Sequence, residues 1–419
     1  MHTKARKVMI IGAGNVGASA AYALLNQSIC EELILVDLNQ QRAEAHAQDL
    51  SDAAAYLPGM MTISTREASD CADVDIAVIT VSGGALRPGQ SRLDELTSTA
   101  KIVKSIVPTM MANGFNGIFL VATNPCDIIT WQVWQLSGLP RSQVLGTGVW
   151  LDTTRLRRLL AQELEIGAQS IDAFILGEHG DTQFPVWSHS SVYGTPIADL
   201  YQQRTGLPLD REAMADKVRK LGFEIYAGKG CTEYGVAGTI AEICRNIFTG
   251  SHRALAVSCI LDGEYGVSGA AAGVPAVLAQ GGVKQIIELQ LAGEEQAKFS
   301  QSIAVIKANI ARLPWRQPAS QSAMISCGER VSSASRVLSG RWASVTISVN
   351  DASGAMLNSD QAPYLELSAS RIRRRALAIR SRFRAAFSSV GAVIPFSRSQ
   401  PLQLTKARSG QMVCSRRRP

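Results

Sequence analysis

Along the first three-quarters of the chain, short apolar runs alternate with longer stretches of helical period. Residues 8–11, 33–36, 76–81, 117–123 and 143–145 are too short for helices and apolar on both faces, which predicts strands in a sheet covered on both sides. A glycine turn at 12–17 separates the first strand from a small-residue helix over 18–25, and the strand at 33–36 completes a β-α-β unit. Helical patterning runs from Asp152 through residue 164, a mixed α/β region begins at Ile171, and the last helix spans 294–310. The predicted fold is α/β: a Rossmann-type, doubly wound parallel sheet over 1–148, then a mixed α/β catalytic domain over 149–313.

After Leu313 the periodicity stops. Pro314 and Pro318 end the helix, and residues 314–419 carry 20 serines and 16 arginines. Charge divides at the same point. Residues 1–313 hold 25 Lys and Arg against 31 Asp and Glu, a net of −6, whereas 314–419 hold 17 against 4, a net of +13. The overall +7 therefore belongs to the tail, which is expected to be disordered, and a nucleic-acid partner is not expected from it. A basic segment at 371–384, with Ile372, Leu377, Ile379 and Phe383 interleaved, is suited to salt-sensitive adhesion to phosphates or anionic lipid and is read as incidental.

With 46% hydrophobic and 18% charged residues, the chain can bury a large core. No apolar run reaches the roughly 20 residues needed to span a bilayer, and no signal peptide is evident. Eight scattered cysteines without a Cys-x-x-Cys pair fit reduced thiols and a cytoplasmic location, with no metal site.

Four segments carry chemistry. In Gly12-Ala13-Gly14-Asn15-Val16-Gly17, Gly12 permits the turn, Gly14 lets a pyrophosphate approach the backbone, and Gly17 lets helix and strand pack closely. Asp37 ends the next strand, where its carboxylate accepts hydrogen bonds from a ribose diol and repels a ribose phosphate, so NAD is expected rather than NADP. His179, in the glycine-flanked loop Gly177-Glu178-His179-Gly180-Asp181, has the setting of an acid–base group titrating near neutrality. Asp152 and Arg155 stand three residues apart on one helical face. Asp152 is suited to holding the imidazole tautomer and Arg155 to gripping a substrate carboxylate through two parallel hydrogen bonds. The glycine-rich stretch from Ser82 to Arg92 reads as a lid whose Arg92 polarises a reacting carbonyl, and Asn124, after the strand ending at Thr123, can hold the substrate oxygen or the cofactor.

In this order these motifs resemble the L-lactate/malate dehydrogenase family, and most of all its lactate and L-2-hydroxyisocaproate dehydrogenase branch. The likeness covers about residues 6–312, including Val121-Ala-Thr-Asn-Pro-Cys-Asp127, Gly146-Thr-Gly-Val-Trp-Leu-Asp152 and Gly228-Lys-Gly-Cys-Thr-Glu-Tyr-Gly-Val-Ala237. It implies an NAD-dependent L-2-hydroxy-acid dehydrogenase of the L-lactate type, interconverting pyruvate or a related 2-oxoacid with its hydroxy acid, as a homotetramer or homodimer. His179 would be the proton donor and acceptor, Asp152 its partner, Arg155 the carboxylate clamp, Arg92 the lid arginine and Thr232 a pocket hydroxyl. Asn15, Val16, Thr80 and Asn124 would join the glycines and Asp37 around the cofactor.

The position that discriminates substrates in this family is Leu86 here. A second carboxylate stripped of water against leucine would cost several kcal/mol, so malate is disfavoured, and Leu86, Val236 and Gly222 suggest a pocket tolerant of larger aliphatic 2-oxoacids. Family members activated by fructose 1,6-bisphosphate pair an arginine with a histidine at a subunit interface. Here Arg157 is matched by Asp172, and no such activation is expected. A competing reading, an NAD-binding sensor whose tail contacts nucleic acid, leaves the acid–base histidine without a purpose.

Overall fold

The computed structural model describes residues 4–83 and 92–313, with side chains omitted for 92–95, together with the backbone of 404–406 and 412–414. The described elements of the first half are β1 (Lys7–Ile11), α1 (Asn15–Asn26), β2 (Glu32–Val36), α2 (Gln40–Ala54), β3 (Thr62–Thr65), β4 (Ile76–Ile79), α3 (Arg92–Ala112), β5 (Ile118–Val121), α4 (Cys126–Ser137) and β6 (Val144–Gly146). The second half contributes α5 (Trp150–Leu164), β7 (Ile175–Leu176), β8 (Phe184–Pro185), β9 (Ser191–Val192), β10 (Thr195–Pro196), α6 (Ile197–Thr205), α7 (Arg211–Lys229), α8 (Tyr234–Thr249), β11 (Ala254–Asp262), β12 (Ser268–Ala279), β13 (Gly282–Ile286) and α9 (Gly293–Ile310).

Six strands pair in parallel in the spatial order β6-β5-β4-β1-β2-β3. The order reverses beside β1, which leaves a crevice at the carboxyl ends of β1 and β4, where ligands of doubly wound sheets bind. All four residues of β4 and of β5 are buried, as strands covered by helices on both faces must be.

The second half does not keep its strands apart. β11 pairs antiparallel with β6, matching Ser258 to Gly146 and Cys259 to Leu145, and β12 and β13 follow outward to complete a nine-stranded sheet. This pairing saturates the backbone edge that β6 would otherwise expose. Residues Met1–Arg316 accordingly form one compact unit. The sheet runs on past residue 148, so both halves contribute strands to it.

The expected disorder of 314–419 falls outside the described residues, except that Leu404–Lys406 and Met412–Cys414 pair as two short antiparallel strands. Among the described residues, no helix is long and apolar enough to cross a membrane.

Candidate active site

The glycine turn is built as its spacing requires. Gly12 has φ +105°, a conformation that favours glycine, and a β-carbon on Gly17 would lie 1.9 Å from the Gly12 carbonyl oxygen. A β-carbon on Gly14 would meet nothing within 4 Å, so open space faces the backbone where a pyrophosphate would sit at the start of α1. Asp37 closes the turn from below: its Oδ2 accepts the Ala13 N–H at 2.8 Å and its Oδ1 the Asn39 N–H at 2.8 Å. Each oxygen keeps a lone pair for a ribose diol. Thr80, just past β4, donates through Oγ1 to the Gly12 carbonyl at 2.8 Å and so braces the turn from the neighbouring strand. These residues fit a dinucleotide. Val16 is half-buried behind the turn, and the exposed Asn15 hydrogen-bonds through its side chain with Cys231, the neighbour of Thr232.

α5 presents its first two turns to the reactive loop. Thr153 Oγ1 accepts the Ile175 N–H at 3.0 Å, which ties the helix to β7 just before that loop. Gly177 then turns with φ +94° and exchanges backbone hydrogen bonds of 3.0 and 2.8 Å with Gly273 of β12. A β-carbon at Gly177 would lie 2.6 Å from Ser302 Oγ of α9, whose hydroxyl accepts the Glu178 N–H at 2.6 Å. The loop is thus fastened on three sides before it delivers His179.

His179 Nδ1 lies 2.6 Å from Asp152 Oδ2, and Asp152 Oδ1 accepts from Arg155 Nη1 at 3.0 Å. Asp152 is 1% exposed, Arg155 12% and His179 25%, so one buried carboxylate holds two partly open groups. An ionised carboxylate only accepts, so Nδ1 carries hydrogen and Nε2 is left as the exchanging nitrogen. Burial favours the neutral imidazole, but the charge and hydrogen bond of Asp152, aided by Asp127, outweigh it and raise the His179 pKa. Burial likewise opposes ionisation of Asp152, yet the imidazolium and Arg155 hold its carboxyl below the ordinary range.

Arg155 also lines a cavity of about 300 Å³ with Thr232, Val236, Leu221 and Ile225. Gly222 of α7 sits against the guanidinium: a β-carbon there would be 3.6 Å from Nη1. Three of the pocket residues named from sequence, Gly222, Thr232 and Val236, are therefore brought together with Arg155. Asn124 is exposed beyond β5, joined to Pro125 by a cis peptide bond at the head of α4. Leu86 lies outside the described residues, as does the side chain of Arg92, whose backbone opens α3.

Among the supporting residues that escaped the sequence reading are Asp127 and Ser258. Asp127, 1% exposed in the first turn of α4, accepts the His179 backbone N–H through Oδ2 at 2.7 Å and the Ser258 hydroxyl through Oδ1 at 2.6 Å. In sequence it reads as a carboxylate suiting a helix N-terminus, and nothing local announces a partner 52 residues away.

Arg157 is engaged within the second half. Its Nε donates to the Ala173 carbonyl at 2.9 Å, and its guanidinium lies 5.3 Å from the Trp150 ring centroid and 5.1 Å from that of Phe174. Burial lowers its pKa, against the opposing charge of Asp172.

Comparison with known proteins agrees with this geometry. The sequence model for the NAD-binding domain of lactate/malate dehydrogenases matches residues 6–146, and that for the alpha/beta C-terminal domain matches 150–313. The chain is 69% identical over 307 residues to L-lactate dehydrogenase 2 of Listeria innocua serovar 6a, covering 73% of this chain and 99% of that protein. It is 46% identical over 310 residues to L-lactate dehydrogenase 3 of Bacillus cereus, covering 73% and 98%. The crystal structure of the minor L-lactate dehydrogenase from Enterococcus mundtii in its ligands-bound form superposes with a TM-score of 0.72 at 40% identity, over 75% of this chain and all of that one. Family models that match both halves of the chain, with relatives at this level of identity, establish that the chain belongs to the lactate/malate dehydrogenase family.

Proposed function

We propose that this protein is an NAD-dependent L-2-hydroxy-acid dehydrogenase of the L-lactate type, interconverting pyruvate and L-lactate. The observation that carries the reading is the shared carboxylate of Asp152, which hydrogen-bonds both the acid–base ring of His179 and the guanidinium of Arg155.

Arg155 binds the substrate carboxylate from the cavity wall, with Thr232 and Val236 beside it. Asn124 and the lid arginine, Arg92, orient and polarise the reacting oxygen. NAD, when bound on the turn of Gly12, Gly14 and Gly17 with Asp37, Asn15, Val16, Thr80 and Asn124 around it, supplies the hydride acceptor and, reduced, the hydride donor. His179 completes the exchange: its protonated ring gives the Nε2 proton to the oxygen of pyruvate, and the neutral ring takes it from lactate. Asp152 stabilises the cationic ring throughout, so rate enhancement comes from orientation and placed charge.

The catalytic half is assigned to 149–313 and the cofactor half to 1–148, working as a cytoplasmic homotetramer or homodimer. Purified protein assayed with NADH against pyruvate, 2-oxoisocaproate, phenylpyruvate and oxaloacetate tests the reading. Pyruvate is expected to be reduced and oxaloacetate poorly; preference for oxaloacetate overturns it. The aliphatic residues Leu221, Ile225 and Val236 and the small Gly222 beside Arg155 favour measurable turnover of 2-oxoisocaproate as well.

A further inference from the structure

The proton-exchanging ring of His179 is held by Asp152, but a second buried carboxylate grips the same residue from behind. Asp127 lies in the first turn of α4, with its Oδ2 2.7 Å from the His179 backbone nitrogen and its Oδ1 2.6 Å from Ser258 Oγ on β11. Ser258 is fully buried, and its pairing partner Gly146 belongs to β6. Three elements thus meet at one side chain: the helix that follows Asn124, the strand beside β6, and the reactive loop. Resting on the function proposed above, we infer that Asp127 is a positioning residue for His179, fixing its backbone through Oδ2 while its negative charge helps the ring hold a proton.

The groups facing this pair are few. His179 is faced by Asp152 and Arg155 of α5, and the Arg155 charge opposes protonation of the ring while both carboxylates favour it. Asp127 is faced by His179 and by Glu178 of the same loop, whose charge disfavours a second anion. The neighbouring thiols are neutral near pH 7, since burial pushes Cys126 on α4 up to about 12 and Cys259 on β11 higher still. Burial raises the Asp127 pKa to about 6, against the Ser258 hydroxyl, the His179 N–H and the imidazolium, which all stabilise the anion. Asp127 is therefore ionised at neutral pH and loses its charge just below it, in the range where histidine itself titrates.

Asparagine is close to isosteric and separates the two roles. In Asp127→Asn the amide oxygen still accepts the His179 N–H, and the NH₂ group donates to Ser258, whose hydroxyl turns from donor to acceptor, so only charge is removed. Ser258→Ala removes one hydrogen bond to the carboxylate and keeps the charge available at high pH. The full-length wild type and both variants are treated with diethyl pyrocarbonate across pH 5–9 without substrate, and the carbethoxylation rate of His179 is read by peptide mass spectrometry. For Asp127→Asn the midpoint is expected to fall by about half a pH unit or more. Ser258→Ala is expected to shift it in the same direction by less. The high-pH limb of pyruvate reduction should move with it, with NADH binding and melting temperature close to wild type.

An unchanged midpoint in folded Asp127→Asn overturns the charge role. Should that variant fail to fold, an unchanged midpoint in Ser258→Ala overturns it instead. Because the modification rate needs neither cofactor nor turnover, it reads Asp127 independently of the assay that tests the dehydrogenase itself.

Discussion

The carboxylate of Asp152 stands 2.6 Å from His179 Nδ1 through one oxygen and 3.0 Å from Arg155 Nη1 through the other, at 1% exposure. One side chain thus orients both the imidazole proposed to carry the proton and the guanidinium proposed to anchor the substrate. Asp152→Asn removes the charge that favours the imidazolium and lets the ring adopt the wrong tautomer. Pyruvate reduction is expected to fall by about 100-fold or more, with NADH affinity retained. Near-normal turnover in steady-state assays would show that the carboxylate is not coupled to the ring.

The pH dependence follows from the direction of the shifts. His179 has a raised folded-state pKa, so the stability its partners confer is complete below the ordinary histidine value and is lost as pH rises through the higher folded value. Asp152 is depressed, so its contribution is present above the ordinary carboxylate value and is lost as pH falls through the lower folded one. Activity should divide accordingly. Pyruvate reduction needs the protonated ring and should hold to a higher pH than an unperturbed imidazole allows before declining, whereas lactate oxidation needs the neutral ring and should rise over the same interval. Profiles of kcat/KM in both directions check this, and a reduction limb below about pH 6.5 contradicts the raised value.

Two glycines of the dinucleotide turn make opposite predictions. At Gly17 a methyl group would strike the Gly12 carbonyl at 1.9 Å, forcing α1 off β1, so Gly17→Ala should lower the melting temperature by several degrees and weaken NADH binding together. At Gly14 the same methyl enters open space, so Gly14→Ala should leave the melting temperature within about a degree and still weaken NADH binding roughly tenfold. Thermal shift and fluorescence titration on both variants separate the cases. Equal affinity of Gly14→Ala and wild type would remove the pyrophosphate from that surface.

Arg157 already donates to the Ala173 carbonyl and packs on Trp150 and Phe174, and the charge of Asp172 acts on it. An incoming phosphate would meet that carboxylate. Fructose 1,6-bisphosphate at millimolar concentration is therefore expected to leave the pyruvate saturation curve unchanged, and a clear fall in KM would contradict this.

Both family matches end at or before residue 313, and Leu313 is buried in the core at 6% exposure. A chain truncated after Leu313 should retain assembly and activity. Loss of either, measured by light scattering and NADH oxidation, would assign the basic tail a structural part.

Much of this site is legible in the residues because its chemistry is local. The turn from Gly12 to Gly17 with Asp37 one strand later, the glycine-flanked His179, and Asp152 three residues before Arg155 each carry their spacing within one β-α-β unit, one loop or one helix. What supports them is not local. Gly273 and Ser302 reach the reactive loop from β12 and α9, Ser258 of β11 reaches Asp127 behind it, and each reads on its own as an ordinary small residue. The joining of β11 to β6 is equally silent, since a strand edge carries no signal of which edge will meet it.

In the proposed reaction the His179 ring moves the substrate proton. Its most direct test is His179→Asn, with NADH binding and pyruvate reduction measured on the same preparation. NADH affinity is expected within about twofold of wild type and turnover reduced by at least about 1,000-fold. Turnover within tenfold of wild type, with NADH still bound, would contradict it.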